Sequence, residues 1–127
     1  MVQEEVLLSI GNVDKQEIES KVAHYLELAG LPPQTSMQSL VKLSTSQQAR
    51  VGVAALLASQ PRLILADEPG LFLDLAGEEQ LAKIFQEQSL TKKTAQVIFT
   101  SRMERAKRFA ERILFLNKGG LYDPDIS

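Results

Sequence analysis

The chain has 127 residues, 44% of them hydrophobic, enough for one ordinary core and too few to call for two independent domains. A charged fraction of 24% and a formal net charge of -2 offer no basic field for a polyanion, so nucleic acid is not expected as a direct partner. With no cysteine, disulfides, thiolate metal sites and cysteine nucleophiles are excluded. The start Met1-Val2-Gln3-Glu4-Glu5 lacks the basic and apolar stretches of a signal peptide, and no apolar run approaches the ~20 residues of a membrane span, so a cytosolic location is expected.

Asp14 to Gly30 predicts a helix, with Asp14 as N-cap, Glu17 closing a capping box and Gly30 in the left-handed position after the last turn. Ile18, Val22, Tyr25, Leu26 and Ala29 share one face by their spacing of three and four. Pro32-Pro33 stops the helix, and residues 31–43 predict a loop with one short helical turn. A second helix starts between Ser44 and Ser46 and runs through Arg50, Val51, Ala54 and Leu57 to about Ser59, before Gln60-Pro61. His24, the only histidine, reads as a surface or packing residue.

Leu63-Ile64-Leu65-Ala66, ended by Asp67-Glu68-Pro69-Gly70, predicts a short strand buried on both faces. A helix over 76–88 turns Leu81, Ile84 and Phe85 inward, and Val97-Ile98-Phe99 predicts a second buried strand. A helix over 102–111 turns Met103, Ala106, Phe109 and Ala110 to one side. Ile113 to Leu116 predicts a third strand, turned by Asn117-Lys118-Gly119-Gly120. Short apolar strands alternating with helices predict an α/β fold, a helical portion followed by part of a parallel sheet with flanking helices. Three strands make a thin sheet with an unpaired edge and a partly uncovered face, so self-association is expected.

In open α/β sheets, ligands lie beyond the carboxyl ends of the strands, and Asp67 and Glu68 stand at such an end. A carboxylate there suits Mg²⁺, and its neighbour suits the polarisation of a water that attacks a phosphoanhydride. On these two residues alone, a strand that closes in an acidic turn accounts for them equally.

The wider context is more specific. Leu43-Ser44-Thr45-Ser46-Gln47-Gln48-Ala49-Arg50, an alanine-rich helix, and Gln60-Pro61-Arg62-Leu63-Ile64-Leu65-Ala66-Asp67-Glu68-Pro69 together resemble the run from the LSGGQ signature to Walker B in ATP-binding cassette ATPases. Leu73-Asp74 stands where that family has its D-loop, Thr100-Ser101 where it has the switch histidine, and residues 110–120 resemble its closing strand and turn. The resemblance extends over essentially the whole chain. It implies the C-terminal half of a P-loop NTPase-type sheet at 61–127, with a helical subdomain and signature helix at 1–60.

Carried over by position, the resemblance implies that Asp67 is the Mg²⁺-associated acid and Glu68 the residue that orients hydrolytic water. Asp74 becomes the D-loop acid at a dimer interface, and Ser44, Thr45, Ser46, Gln47 and Ser101 stand at nucleotide-contacting positions. Thr45 and Ser46 replace the two signature glycines and put a Cβ where backbone approaches phosphate. Plain N-capping explains residues 44–46 as well as a ligand role does. Ser101 replaces the switch histidine and is expected to cap the next helix with Glu104.

No G-x-x-x-x-G-K-[ST] occurs, so the chain is expected to lack the phosphate cradle and to begin partway through the domain. The implied function is a partial, degenerate ATP-binding subunit of an ABC transporter, inactive alone. It implies ATP and Mg²⁺ as cofactors of the parent protein. The implied partners are a second cassette or the protein's own N-terminal half, and a membrane transport subunit, with the chain peripheral to the membrane on the cytoplasmic side. The alternatives are a docking module on a cassette scaffold, or a receiver-like domain that binds Mg²⁺ through Asp67 and Glu68.

Overall fold

The computed structural model describes residues 1–12 and 14–125. Helices α1 (Val2–Ile10), α2 (Lys15–Leu28) and α3 (Thr45–Ala58) precede strand β1 (Leu63–Asp67), helix α4 (Leu75–Lys92), strand β2 (Ala95–Phe99), helix α5 (Met103–Phe109) and strands β3 (Phe115–Asn117) and β4 (Gly120–Tyr122). The predicted α/β architecture is present. Two apolar clusters organise it, and both draw on α3.

The first cluster joins Val2 and Val6 of α1, Val22, Leu26 and Ala29 of α2, and Val51, Ala54 and Ala58 of α3, with Ile18 and Tyr25 packed against it. The α2 stripe is therefore the one its spacing predicts. Gly30 has φ +79, the left-handed conformation expected after the helix end, and a Cβ there would sit 2.5 Å from Arg50. Two details differ. Asp14 occupies the N-cap position but makes no side-chain cap hydrogen bond, and Glu17 pairs instead with Lys21 at 3.2 Å on the exposed face. Residues 31–43 hold two short 3₁₀ turns, Pro33–Met37 and Leu40–Lys42, where one was expected.

The second cluster joins Ile64 of β1 to Leu81, Ala82 and Phe85 of α4 and Phe109 of α5, with Val53 of α3 touching both clusters. Phe85 and Phe109 meet edge to face, centroids 5.7 Å apart. Strands β1 and β2 pair in parallel, Leu63 opposite Ala95 through Asp67 opposite Phe99. The helices cover only one face of this pair. Ile64 is 1% exposed, whereas Leu65 is 67% and Phe99 54% exposed on the other face, so the expected burial on both faces is corrected to one.

The predicted third strand is also corrected. Phe115–Asn117 pairs antiparallel with Gly120–Tyr122 in a separate hairpin and does not join the parallel sheet. Its turn is the expected one, with Lys118 at φ 48 and Gly119 at φ 78, the paired positive values of a tight hairpin. Helix α5 ends at Phe109, two residues early, and Met103 on its predicted inner face is exposed.

Candidate functional site

Strand pleating decides where the two acids at the end of β1 go. Leu63, Leu65 and Asp67 alternate with Ile64 and Ala66, which puts Asp67 in register with the uncovered face, and the residue is exposed. Glu68 follows on the other side of the pleat, toward α5. It leaves the strand with φ 47, a left-handed value that costs a residue with a Cβ about 1–3 kcal/mol, while its N–H continues the ladder to the Phe99 carbonyl at 2.8 Å. The two carboxylates at this strand end thus differ in their surroundings: Asp67 is exposed, and Glu68 is held by Thr100, Ser101 and Arg105.

The Glu68 carboxylate is saturated. Its Oε1 accepts from the Ser101 N–H at 2.7 Å and the Ser101 hydroxyl at 2.9 Å. Its Oε2 accepts from the Thr100 hydroxyl and from Arg105 Nη1, each at 2.8 Å. These contacts, led by the Ser101 N–H and the Thr100 hydroxyl, hold its pKa down to about 2. A carboxylate so depressed is a weak proton acceptor, and its four lone-pair positions are all in use.

Ser101 does not cap α5. Arg102 occupies the N-cap position without a side-chain cap bond, and the predicted Ser101–Glu104 capping box is absent. Helix α5 begins at Met103, so Ser101 stands one residue before the cap position, and its hydroxyl donates to Glu68. Behind Glu68, Arg105 is 4% exposed and also donates from Nε to Glu78 Oε1 at 3.0 Å and from Nη2 to the same oxygen, which raises its pKa further. Arg108 Nη1 closes the cluster on Glu78 Oε2 at 2.6 Å. Gly70, at φ +82, lies against it: a Cβ there would stand 2.9 Å from Glu78 Cγ.

Sequence reasoning missed Glu78 and Arg105. The signal was available, because each falls on an apolar helical stripe, Glu78 with Leu81, Ala82 and Phe85, and Arg105 with Phe109. Opposite charges on two inward stripes mark a buried pair.

The signature-like segment lies apart from this cluster, at the start of α3. Ser44 accepts from the Gln47 N–H at 3.2 Å, and Gln47 Oε1 accepts from the Ser44 N–H at 2.9 Å, a complete capping box. Thr45 is exposed and Ser46 half-buried in the same turn. Asp74 caps α4, its Oδ1 accepting from the Gly77 N–H at 2.8 Å. Arg50 links the two regions by donating to the Ala29 carbonyl at 3.0 Å and to Gln80 Oε1 at 2.7 Å.

Among the described residues, no group of three His, Cys, Asp or Glu side chains could hold a metal ion. Mg²⁺ commonly takes one or two carboxylates with the remaining oxygens from phosphate and water, so the exposed Asp67 carboxylate fits that cation as a single protein ligand. A cleft of about 280 Å³ between α4 and α5, lined by Leu75, Glu78, Arg102 and Arg105 among others, is smaller than the usual small-molecule site of about 300–1,000 Å³.

Comparison with known proteins follows the same lines. Residues 1–70 match the family model described as ABC transporter. The energy-coupling factor transporter ATP-binding protein EcfA2 of Bacillus cereus is 33% identical over 110 residues, 87% of this chain and 38% of that protein. Its namesake in Mycoplasma pneumoniae is 34% identical over 107 residues, 84% of this chain and 35% of that protein. The chain thus spans less than two fifths of these relatives' length. A dimeric bacterial ABC transporter cassette superposes with a TM-score of 0.80 at 28% identity, over 93% of this chain and 51% of its own. A dimeric post-hydrolysis ATP-binding cassette bound to ADP and Pi gives 0.83 at 25% identity, over 97% and 56%. These matches set aside the receiver-like reading of Asp67 and Glu68. One family model covers more than half of the residues and two solved cassettes share the fold, so the chain belongs to the ABC transporter family.

Proposed function

We propose that this chain is the signature-to-closing-strand part of an ABC ATP-binding subunit that couples ATP to transport, degenerate at its signature turn and at the switch position, and inactive alone. The observation that carries the reading is the meeting of Glu68, at the end of β1, with Thr100 and Ser101, at the end of the adjacent parallel strand. That is the strand-end position where phosphate chemistry is done in such sheets. Asp67 would hold Mg²⁺, which would neutralise charge on the phosphates, and Glu68 would orient the attacking water. Residues 1–60 would serve as helical subdomain and signature helix, and 61–127 as the Walker B portion.

Three features support degeneracy. Thr45 and Ser46 carry side chains where a signature turn needs bare backbone. Ser101 is too short to act as an imidazole toward a terminal phosphate, and it spends its hydroxyl on Glu68. Glu68 itself has no free acceptor position. The bare face of β1 and β2 would be covered by the sheet portion that carries the phosphate loop, while Ser44, Gln47 and Asp74 would face a second cassette. The names of the relatives favour a membrane transport partner, with this subunit peripheral to the membrane on the cytoplasmic side; no described helix is long and apolar enough to cross a membrane.

The test is a titration of the 127-residue chain with a fluorescent ATP analogue, with and without Mg²⁺. The expected result is no binding up to millimolar nucleotide. Mg²⁺-dependent binding would overturn the reading of the chain as an incomplete site.

A further inference from the structure

Glu68 would be left to its short neighbours Thr100 and Ser101 if α5 presented an apolar side chain at 105. Instead one guanidinium is divided between two carboxylates. Arg105 gives Nη1 to Glu68 and gives both Nε and Nη2 to Glu78. The planar fork fixes the geometry: with Nε and Nη2 committed to Glu78, Nη1 points in one direction only, toward Glu68. Glu78 is held in turn, its second oxygen by Arg108 and its Cγ packed at the position of Gly70. With Arg105 4% exposed, and the side chains of Glu78 and Glu68 11% and 25% exposed, the cluster runs from the core to the rim of the sheet.

We propose that Arg105, oriented by Glu78, is the positioning residue that clasps Glu68 against Thr100 and Ser101 and fills the acceptor position with which Glu68 would orient a water. The proposal deepens the reading of Glu68 as the water-orienting acid and rests on it for its functional meaning. The clasp fills the last acceptor position: Thr100 and Ser101 supply three hydrogen bonds and Arg105 the fourth. It is also the only one of the four from a charged donor and the only one that reaches Glu68 from α5, while the Ser101 N–H and the Thr100 hydroxyl do most to hold its pKa down. Glu78 never touches Glu68, Thr100 or Ser101 in a hydrogen bond, yet it decides where the Arg105 fork points.

The test uses the Ser101 amide proton, whose chemical shift reports its hydrogen bond to Glu68, in the 127-residue chain. Glu68→Ala defines the shift of the broken contact and wild type that of the intact one. Arg105→Gln and Glu78→Gln are each expected to move the Ser101 signal more than half of the way to the Glu68→Ala value, while the methyl signals of Leu81 and Val22 stay in place. A purely structural ion pair would leave Ser101 where it is. Movement of less than half in either variant would overturn the clasp. If Arg105→Gln does not fold, Arg105→Lys is read on the same scale, because it keeps the charge near Glu78 but not the fork. The outcome is independent of the nucleotide titration: a chain that binds ATP unaided would refute the incomplete-site reading and leave the Ser101 shifts standing, and the reverse result would refute the clasp alone.

Discussion

Replacing Glu78 by alanine tests whether the cluster behind Glu68 is buried in the energetic sense. Glu78 receives two of the three carboxylate hydrogen bonds that Arg105 makes, and Arg105 is 4% exposed. Removing one partner of a buried ion pair costs about 3–5 kcal/mol, because the charge left behind has lost its compensation. Glu68 remains beside Arg105, with its own side chain 25% exposed, so the low end applies and Glu78→Ala should lose about 3 kcal/mol. With a urea slope of about 1.5 kcal/mol/M, that lowers the unfolding midpoint by about 2 M. The companion variant Glu78→Met with Arg105→Met removes both charges and fills the volume, and should lie within about 1 kcal/mol of wild type. Circular dichroism in urea measures both. A Glu78→Ala loss below about 1 kcal/mol would refute the reasoning, since that is the range of a solvated surface pair.

Ser44→Ala removes one half of the capping box of α3 and should cost about 1 kcal/mol by the same assay, with the first turn of α3 losing amide protection. The low Glu68 pKa makes stability depend on acid. The folded value, about 2, lies below the ordinary 4.5, so this stabilisation is complete above pH 4.5 and is lost as pH falls toward 2. Glu68→Gln should flatten that part of the stability profile, and an unchanged acid limb would count against the contact set. Leu65→Lys, on the bare sheet face at 67% exposure, should change stability by less than about 0.5 kcal/mol and suppress self-association in sedimentation runs. Equal association of both proteins would place the sticky surface elsewhere.

Much of this architecture was legible because it is periodic. The α2 stripe, the α3 N-cap at Ser44 and the inward Leu81 and Phe85 all follow from spacing or from a capping pair, and each is local in sequence. The errors are of another kind. Ile113 to Leu116 has the composition of a buried strand, but pairing is a tertiary choice, and the tight turn at Lys118 and Gly119 closes that stretch onto Gly120–Tyr122. Ser101 and Glu104 have the spacing of a capping box, yet α5 starts at Met103 with Arg102 at its N-cap, so Ser101 stands one residue too early to cap and instead donates its hydroxyl to Glu68, 33 positions earlier. At the site, sequence order singled out Asp67 and Glu68 but treated them as a pair. Their separation depends on pleat parity and on what covers each face, and that only the packed sheet supplies.

That separation ties the architecture to the chemistry. Two adjacent acids on one short strand end up in opposite environments: Asp67 beside a bare face and exposed, Glu68 beside the only helix-covered face and fully hydrogen-bonded. Whatever covers the bare face of β1 and β2 arrives on the side of Asp67, not of Glu68. A metal or phosphate brought by that covering element could meet Asp67 without any change in this chain, whereas Glu68 must first give up one of four hydrogen bonds. Binding and hydrolysis would then have separate thresholds in the complete assembly, the first set by the covered face and the second by the hold of Arg105.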